Sequence, residues 1–344
     1  MNVMRTAAAL ASFGVLALTA QATDWKVARS EQLPAELRWA QDARWSSESA
    51  ALLTAGRNGV FEWNLSGPPH RLITGGSDGF LFSSRLAASK KHMIVAAPFA
   101  LMWWDRQTNR KVTEKAFSVL MDVDTYGDRV AILGADYDEK GRFAPEGAIV
   151  WSGTLRDHAI ELEPLILGKA GPGAKSMNQC HYLQLGAVRF SRNGHLFVIP
   201  GVEPGLFEYD AKGRLLRTWA TDDLGIVDRC SLNEQQWLSM SANPEPRRRW
   251  LAARRIMDEM VILPAGPALL LRSVATSQGV TWDLLEFIDN KRTRTTRLPI
   301  ASKSSLSHVR ADVDAKGRLL VLRLEYGDLD KPPAEPPTLY VLER

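Results

Sequence analysis

From about residue 34 onward the apolar positions fall into short runs. They are rich in aromatic and β-branched residues and are separated by turn residues, which is the signature of strands rather than helices. One unit recurs six times: a hydrophobic strand closing on a large side chain followed by a polar one. Its copies are Phe61–Asn64, Met102–Asp105, Ile149–Ser152, Phe207–Asp210, Glu286–Asp289 and Tyr340–Glu343. Ahead of each copy stands a strand, a tight turn and a strongly apolar strand. The clearest cases are Val188–Ile199, turning at Asn193-Gly194, and Val309–Leu322, turning at Lys316-Gly317. Weaker versions turn at Glu48, Lys90, Gly127 and Gly266. Asn-Gly and Lys-Gly between alternating apolar residues are hairpin chemistry, because glycine accepts the positive φ the turn needs. Turn and anchor alternate along the whole chain, so the pattern predicts six units, each with a hairpin, a third strand and room for a fourth.

This blade pattern resembles the six-bladed β-propellers, the broad group that includes NHL-repeat, TolB-like and gluconolactonase-like proteins. The resemblance spans residues 34–344 and rests on the repeat, not on a diagnostic motif. It implies an all-β fold, a single β-propeller of six blades with four antiparallel strands each. Residues 24–33 are expected to supply the outer strand of the last blade. A seven-bladed ring is the alternative, since the interval from Ile160 to Arg255 is long enough to hold another unit. Gluconolactonase-like members hold calcium with side chains from separate blades. Calcium is therefore implied only by the resemblance, and no ligand maps onto a residue here.

Residues 1–22 follow a different pattern. Arg5 precedes an apolar run from Ala7 to Leu18, and the segment exits through Ala20-Gln21-Ala22. This describes a signal peptide cleaved after Ala22, too short to span a bilayer. Residues 23–344 would then form the propeller domain, exported to the periplasm or beyond. Export makes one disulfide between Cys180 and Cys230 the first expectation for the two cysteines.

Composition adds exclusions. With 45% hydrophobic residues the chain is neither disordered nor a cysteine-held miniature scaffold. The formal charge of +4 is a small excess of 43 Lys and Arg over 39 Asp and Glu, so the balance gives no nucleic-acid partner. Its densest basic run, Arg247–Arg255, reads as an insertion between blades.

Candidate chemistry comes from aligning the units on their turns. Five positions before the turn stand Arg85, Asp122, Arg189 and Asp312, on the strand expected to line the central channel. Two readings are open: a polar ligand site in which Arg85 and Arg189 grip an anion, or mutual neutralisation of Arg85 with Asp122 and of Arg189 with Asp312. His181, beside Cys180, joins the candidates at the channel rim. Other motifs fail on context. Gly75–Gly79 matches a nucleophile elbow but is followed by a strand-like run. Asp136–Gly147 starts like a calcium loop but has Lys140 and Gly147 where oxygen ligands are needed. The leading expectation is a monomeric exported module that binds a protein or a small polar ligand. Its alternative is a propeller hydrolase or lactonase with a divalent cation in the channel.

Overall fold

Short apolar runs and tight turns fold the chain into six four-stranded antiparallel sheets around a common axis. The computed structural model describes residues 24–46, 49–74, 85–97, 100–116, 119–135, 148–156, 159–167, 185–201, 203–228, 235–236, 239–240, 243–289, 293–325 and 335–344. The first blade contains β2 (Ala40–Ser46), β3 (Ala51–Gly56), β4 (Gly59–Trp63) and β5 (His70–Thr74). The second contains β6 (Arg85–Ala88), β7 (His92–Ala97), β8 (Ala100–Asp105) and β9 (Arg110–Ala116). The third contains β10 (Val119–Tyr126), β11 (Arg129–Ala135), β12 (Ala148–Arg156) and β13 (Ala159–Leu167). β14 (Ala187–Phe190), β15 (Leu196–Ile199), β16 (Leu206–Tyr209) and β17 (Leu215–Trp219) make the fourth. β18 (Ile256–Leu263), β19 (Gly266–Arg272), β20 (Val280–Phe287) and β21 (Thr293–Ser302) make the fifth. The sixth is β22 (His308–Val313), β23 (Leu319–Leu324) and β24 (Thr338–Glu343), completed by β1 (Lys26–Gln32).

The ring closes through β1, which pairs with β24 from Lys26–Glu343 to Gln32–Thr338. The N-terminal strand thus covers an edge that the last blade would otherwise expose. Each interface between neighbouring blades has its own apolar cluster. Leu86 and Trp104 pack with Leu53 and Val60 between the first two blades, and Val309 and Leu319 with Val261 and Trp282 between the last two. Trp63 and Trp104 are buried anchors, as the repeat predicts. In the fifth unit the anchor is one residue off: Ile288 lies just past β20 and is half exposed, while Phe287 is buried. The turn placed at Gly266 falls at 264–265, because Gly266 already pairs with Leu263.

The long interval that left a seventh blade open holds no further sheet among the described residues. It contains the connection 220–255, and within it a helix, α1 (Pro244–Ala252). Asn243 caps α1 by accepting the Glu245 amide at 3.0 Å. No helix among the described residues is long and apolar enough to cross a membrane.

Strand direction divides the connections between two faces. Inner strands run from one face to the other, so the first-to-second and third-to-fourth strand turns share one face, and all other connections share the opposite one. The segments 75–84, 136–147, 168–186, 220–255 and 325–337 all leave from the latter face. On the short-turn face none exceeds 64–69.

Candidate functional site

The innermost strands are β2, β6, β10, β14, β18 and β22, and side chains two apart on each point toward the axis. Three of them carry a register shift: β2 between Ala40 and Asp42, β10 between Leu120 and Asp122, and β18 between Met257 and Glu259. These bulges fall on the first, third and fifth blades, and each delivers a carboxylate to the axis. The even blades answer with Arg85, Arg189 and Arg310. Acid and base therefore alternate around the ring, with Arg44 of the first blade added one step further along.

These groups form two fused rings of charge. In the first, Arg189 contacts Asp122 at 2.5 Å and also Glu259, and Glu259 lies 3.2 Å from Arg85. Arg85 Nε returns to Asp122 Oδ1 at 4.0 Å. The second ring shares that edge. Arg44 stands 3.7 Å from both Asp122 and Asp42, and Arg85 stands 4.0 Å from Asp42. All six side chains are buried.

The same groups also staple neighbouring inner strands through the backbone. Asp42 accepts the Leu86 amide at 2.8 Å, Asp122 the Val188 amide at 3.0 Å, and Asp258 the Val309 amide at 3.1 Å. Lower on the axis Asp124 accepts from Phe190 and Asp312 from Trp45, at 2.6 and 2.7 Å. Arginines serve the carbonyls: Arg44 donates to Leu86 O at 2.9 Å, Arg85 to Met121 O at 3.2 Å, and Arg310 to Asp258 O at 2.9 Å. Every such bond links one blade to the next.

Protonation follows from this packing. Burial works against the Glu259 carboxylate, but Arg189, Arg44 and Arg85 outweigh it and hold it down at about 2. Burial likewise opposes the Arg189 charge and is overcome by Asp122 and Glu259, which raise it. Arg310 is lowered to about 10 by burial and by repulsion from Arg85. Burial, then Arg310, keeps His308 neutral, well below the ordinary histidine range. Toward the short-turn face burial dominates instead, raising Asp124 to about 6 and Asp312 above its usual value.

The four channel residues expected from the turn alignment all lie on inner strands, and three of them, Arg85, Asp122 and Arg189, meet. Asp312 does not neutralise Arg189. It lies at the far end of β22 and caps Trp45, while Arg189 is taken by Asp122 and Glu259. Counting back from the turns missed Asp42, Arg44, Glu259 and Arg310, since turn lengths differ and the fifth turn lies at 264–265 and not at Gly266. The sequence signal available for them was period-two charge inside apolar strands, as in Asp42-Ala43-Arg44. His181, Cys180, Cys230, Gly75–Gly79 and the Asp136–Gly147 loop lie outside the described residues. Among the described residues no group of three or more His, Cys, Asp or Glu side chains is placed to hold a metal ion.

No family model matches this sequence, and no curated protein does either. Solved structures share its fold. A luciferin-regenerating enzyme aligns with a TM-score of 0.50 at 11% identity, over 92% of this chain and 95% of that one. A gluconolactonase from Xanthomonas campestris gives 0.48 at 13% identity, over 89% and 86%. The extracellular domain of a one-component system from B. thetaiotaomicron gives 0.45 at 8% identity, over 88% of this chain. The chain spans only 34% of that last structure's length.

Proposed function

We propose that this six-bladed β-propeller is an exported binding module whose partner engages the face bearing the long connections. The observation that carries this reading is the axis itself. Its arginines and carboxylates are paired with one another and bonded to the strand backbones, which makes them a plug that holds the blades together. An anion gripped by Arg85 and Arg189 would have to displace Asp122 and Glu259 from buried contacts, leaving buried charge uncompensated. Recognition is then left to the connections, which a rigid scaffold presents on one side. Export is supported by the Arg5, Ala7–Leu18 and Ala20–Ala22 pattern.

A photo-crosslinking amino acid placed in cells at Asn58 or Val274, on the long-connection face, tests the reading against the same group at Lys90 or Lys212. Adducts are expected from the first pair alone. Adducts from the second pair, or from neither, would overturn it. N-terminal sequencing of the protein from the exported fraction should begin at Thr23. The hydrolase reading predicts turnover of lactones or esters that is lost on chelation. The binding reading predicts none.

A further inference from the structure

We infer that α1 and the turn after it form a preorganised docking platform for an acidic segment of a partner polypeptide. This rests on the long-connection face being the binding face. Residues 243–255 carry five arginines and one glutamate, an excess equal to the whole formal net charge of +4. The rest of the chain sums to zero, so this segment carries a local excess of positive charge on its connection.

The platform is rigid. Arg272, from β19, donates to Leu251 O at 3.3 Å and to Ser305 O and Ser307 O at 3.3 and 3.1 Å, tying the end of α1 to the fifth and sixth blades. Ala275 N donates to Ala252 O at 2.8 Å, and Val227 N to Arg255 O at 3.1 Å. Trp250 is buried against Leu185, Met240 and Ile256, and Arg254 stacks on its ring at 4.3 Å. A surface already ordered loses little freedom on binding.

Some of the charge is engaged locally. Arg255 lies 3.1 Å from Asp283, and Asp222 and Asp223 sit on the same connection. Glu245 pairs with both Arg248 and Arg249 at 3.9 Å, but it is itself 55% exposed and is one carboxylate against two guanidinium groups, so these exposed pairs screen the charge only in part. Arg249 is 74% exposed and projects from the helix.

The chemistry selects the partner. Guanidinium forks match carboxylates and phosphates alike in a two-bond geometry that ammonium groups lack, and the export reading, which takes the chain away from nucleic acid, leaves acidic side chains as the oxyanions to meet. A bilayer fits less well, because the large apolar groups of α1 turn inward and leave no face to insert between acyl chains.

The test uses the mature protein and a fluorescein-labelled glutamate dodecapeptide, with binding read by anisotropy at low and physiological salt. Binding is expected to weaken steeply with salt. Arg249→Glu should lower affinity about fivefold, and Arg249→Lys should fall between it and the wild type, with unchanged thermal melts. The proposal is overturned if the peptide does not bind at low salt, or if Arg249→Glu binds it as the wild type does. It is also overturned if Lys90→Glu, on the opposite face, has an equal effect, or if anionic vesicles or an oligonucleotide bind more tightly than the peptide. Crosslinks from Asn58 and Val274 without peptide binding would sink this proposal alone. Crosslinks confined to Lys90 and Lys212 would sink the broader reading.

Discussion

Arg189, on the inner strand of the fourth blade, reaches Glu259 of the fifth while also holding Asp122 of the third. One guanidinium thus joins three consecutive blades at the axis, where no solvent can replace it. Removing it takes the shortest partner from two buried carboxylates and leaves Arg85 and Arg44 to compensate both. Arg189→Met should cost about 3–5 kcal/mol in urea unfolding, well above an exposed arginine change such as Arg156→Met. Glu259→Gln keeps an acceptor and should cost less, and a double-mutant cycle between the two sites should show strong coupling. Independent, additive effects would show that the ring is incidental.

Stability should respond to acid in opposite senses at different groups. Glu259 sits at about 2 when folded against an ordinary 4.5, so its contribution is complete above 4.5 and disappears as pH falls through 2. Asp124 behaves in reverse. Its folded value of about 6 exceeds the ordinary 3.8, so stability falls as pH rises between those values. His308, lowered when folded, destabilises the fold as pH drops below 6.5 and the unfolded chain takes up the proton. Asp124→Asn, which retains an acceptor for the Phe190 amide, should flatten the slope between pH 4 and 6. His308→Gln should remove the loss below 6.5. Thermal melts across pH on the three proteins separate these contributions.

How much of this could be read from the residues differs between blade and axis. Hairpin turns and large anchors repeat because each blade solves the same local problem, so the six-fold ring was visible in the order of apolar runs. Ring closure by residues 24–33 was an expectation of the propeller resemblance, and β1 meets it by pairing with β24. The axial rings were only half legible. Arg85, Asp122 and Arg189 stand five residues before the turns that the pattern marks, whereas Asp42 stands six before Glu48 and Glu259 seven before Gly266. Where a hairpin turns is settled by strand pairing, as when Leu263 pairs with Gly266, and an error of one or two residues there moves the expected axial position off the charged side chain.

One heptapeptide separates turn chemistry from burial. Residues 210–216 and 314–320 both read Asp-Ala-Lys-Gly-Arg-Leu-Leu. They fold into the same turn: Asp210 and Asp314 each accept the amides of the following Lys and Arg at 2.8–2.9 Å. Gly213 and Gly317 adopt φ of 75° and 80°. Their leucines part company. Leu319 and Leu320 lie on β23 inside the sixth blade and are buried, while Leu215 and Leu216 lie on the outermost strand of the fourth and are 54% and 49% exposed. Leu319→Ala should cost about 2–5 kcal/mol and Leu215→Ala less than about 0.5. Equal costs would mean that β17 is covered in solution.

Cys180 and Cys230 stand in the connections 168–186 and 220–255, which lead into the adjacent fourth and fifth blades from the same face. Both connections start from outer strands and enter neighbouring inner strands, β14 and β18, from that face, so a bond between them asks for no change of topology. In an oxidising compartment such a bond is expected to persist. It would close a loop of about 50 residues and restrict the unfolded chain by about 4 kcal/mol in the loop-entropy account. Protein purified from the exported fraction should show no titratable thiol until reduced, and reduction should lower its melting temperature. The same chain produced without residues 1–22 in a reducing cytoplasm should carry two thiols and melt at the lower temperature. Two reactive thiols in the exported protein would exclude the bond.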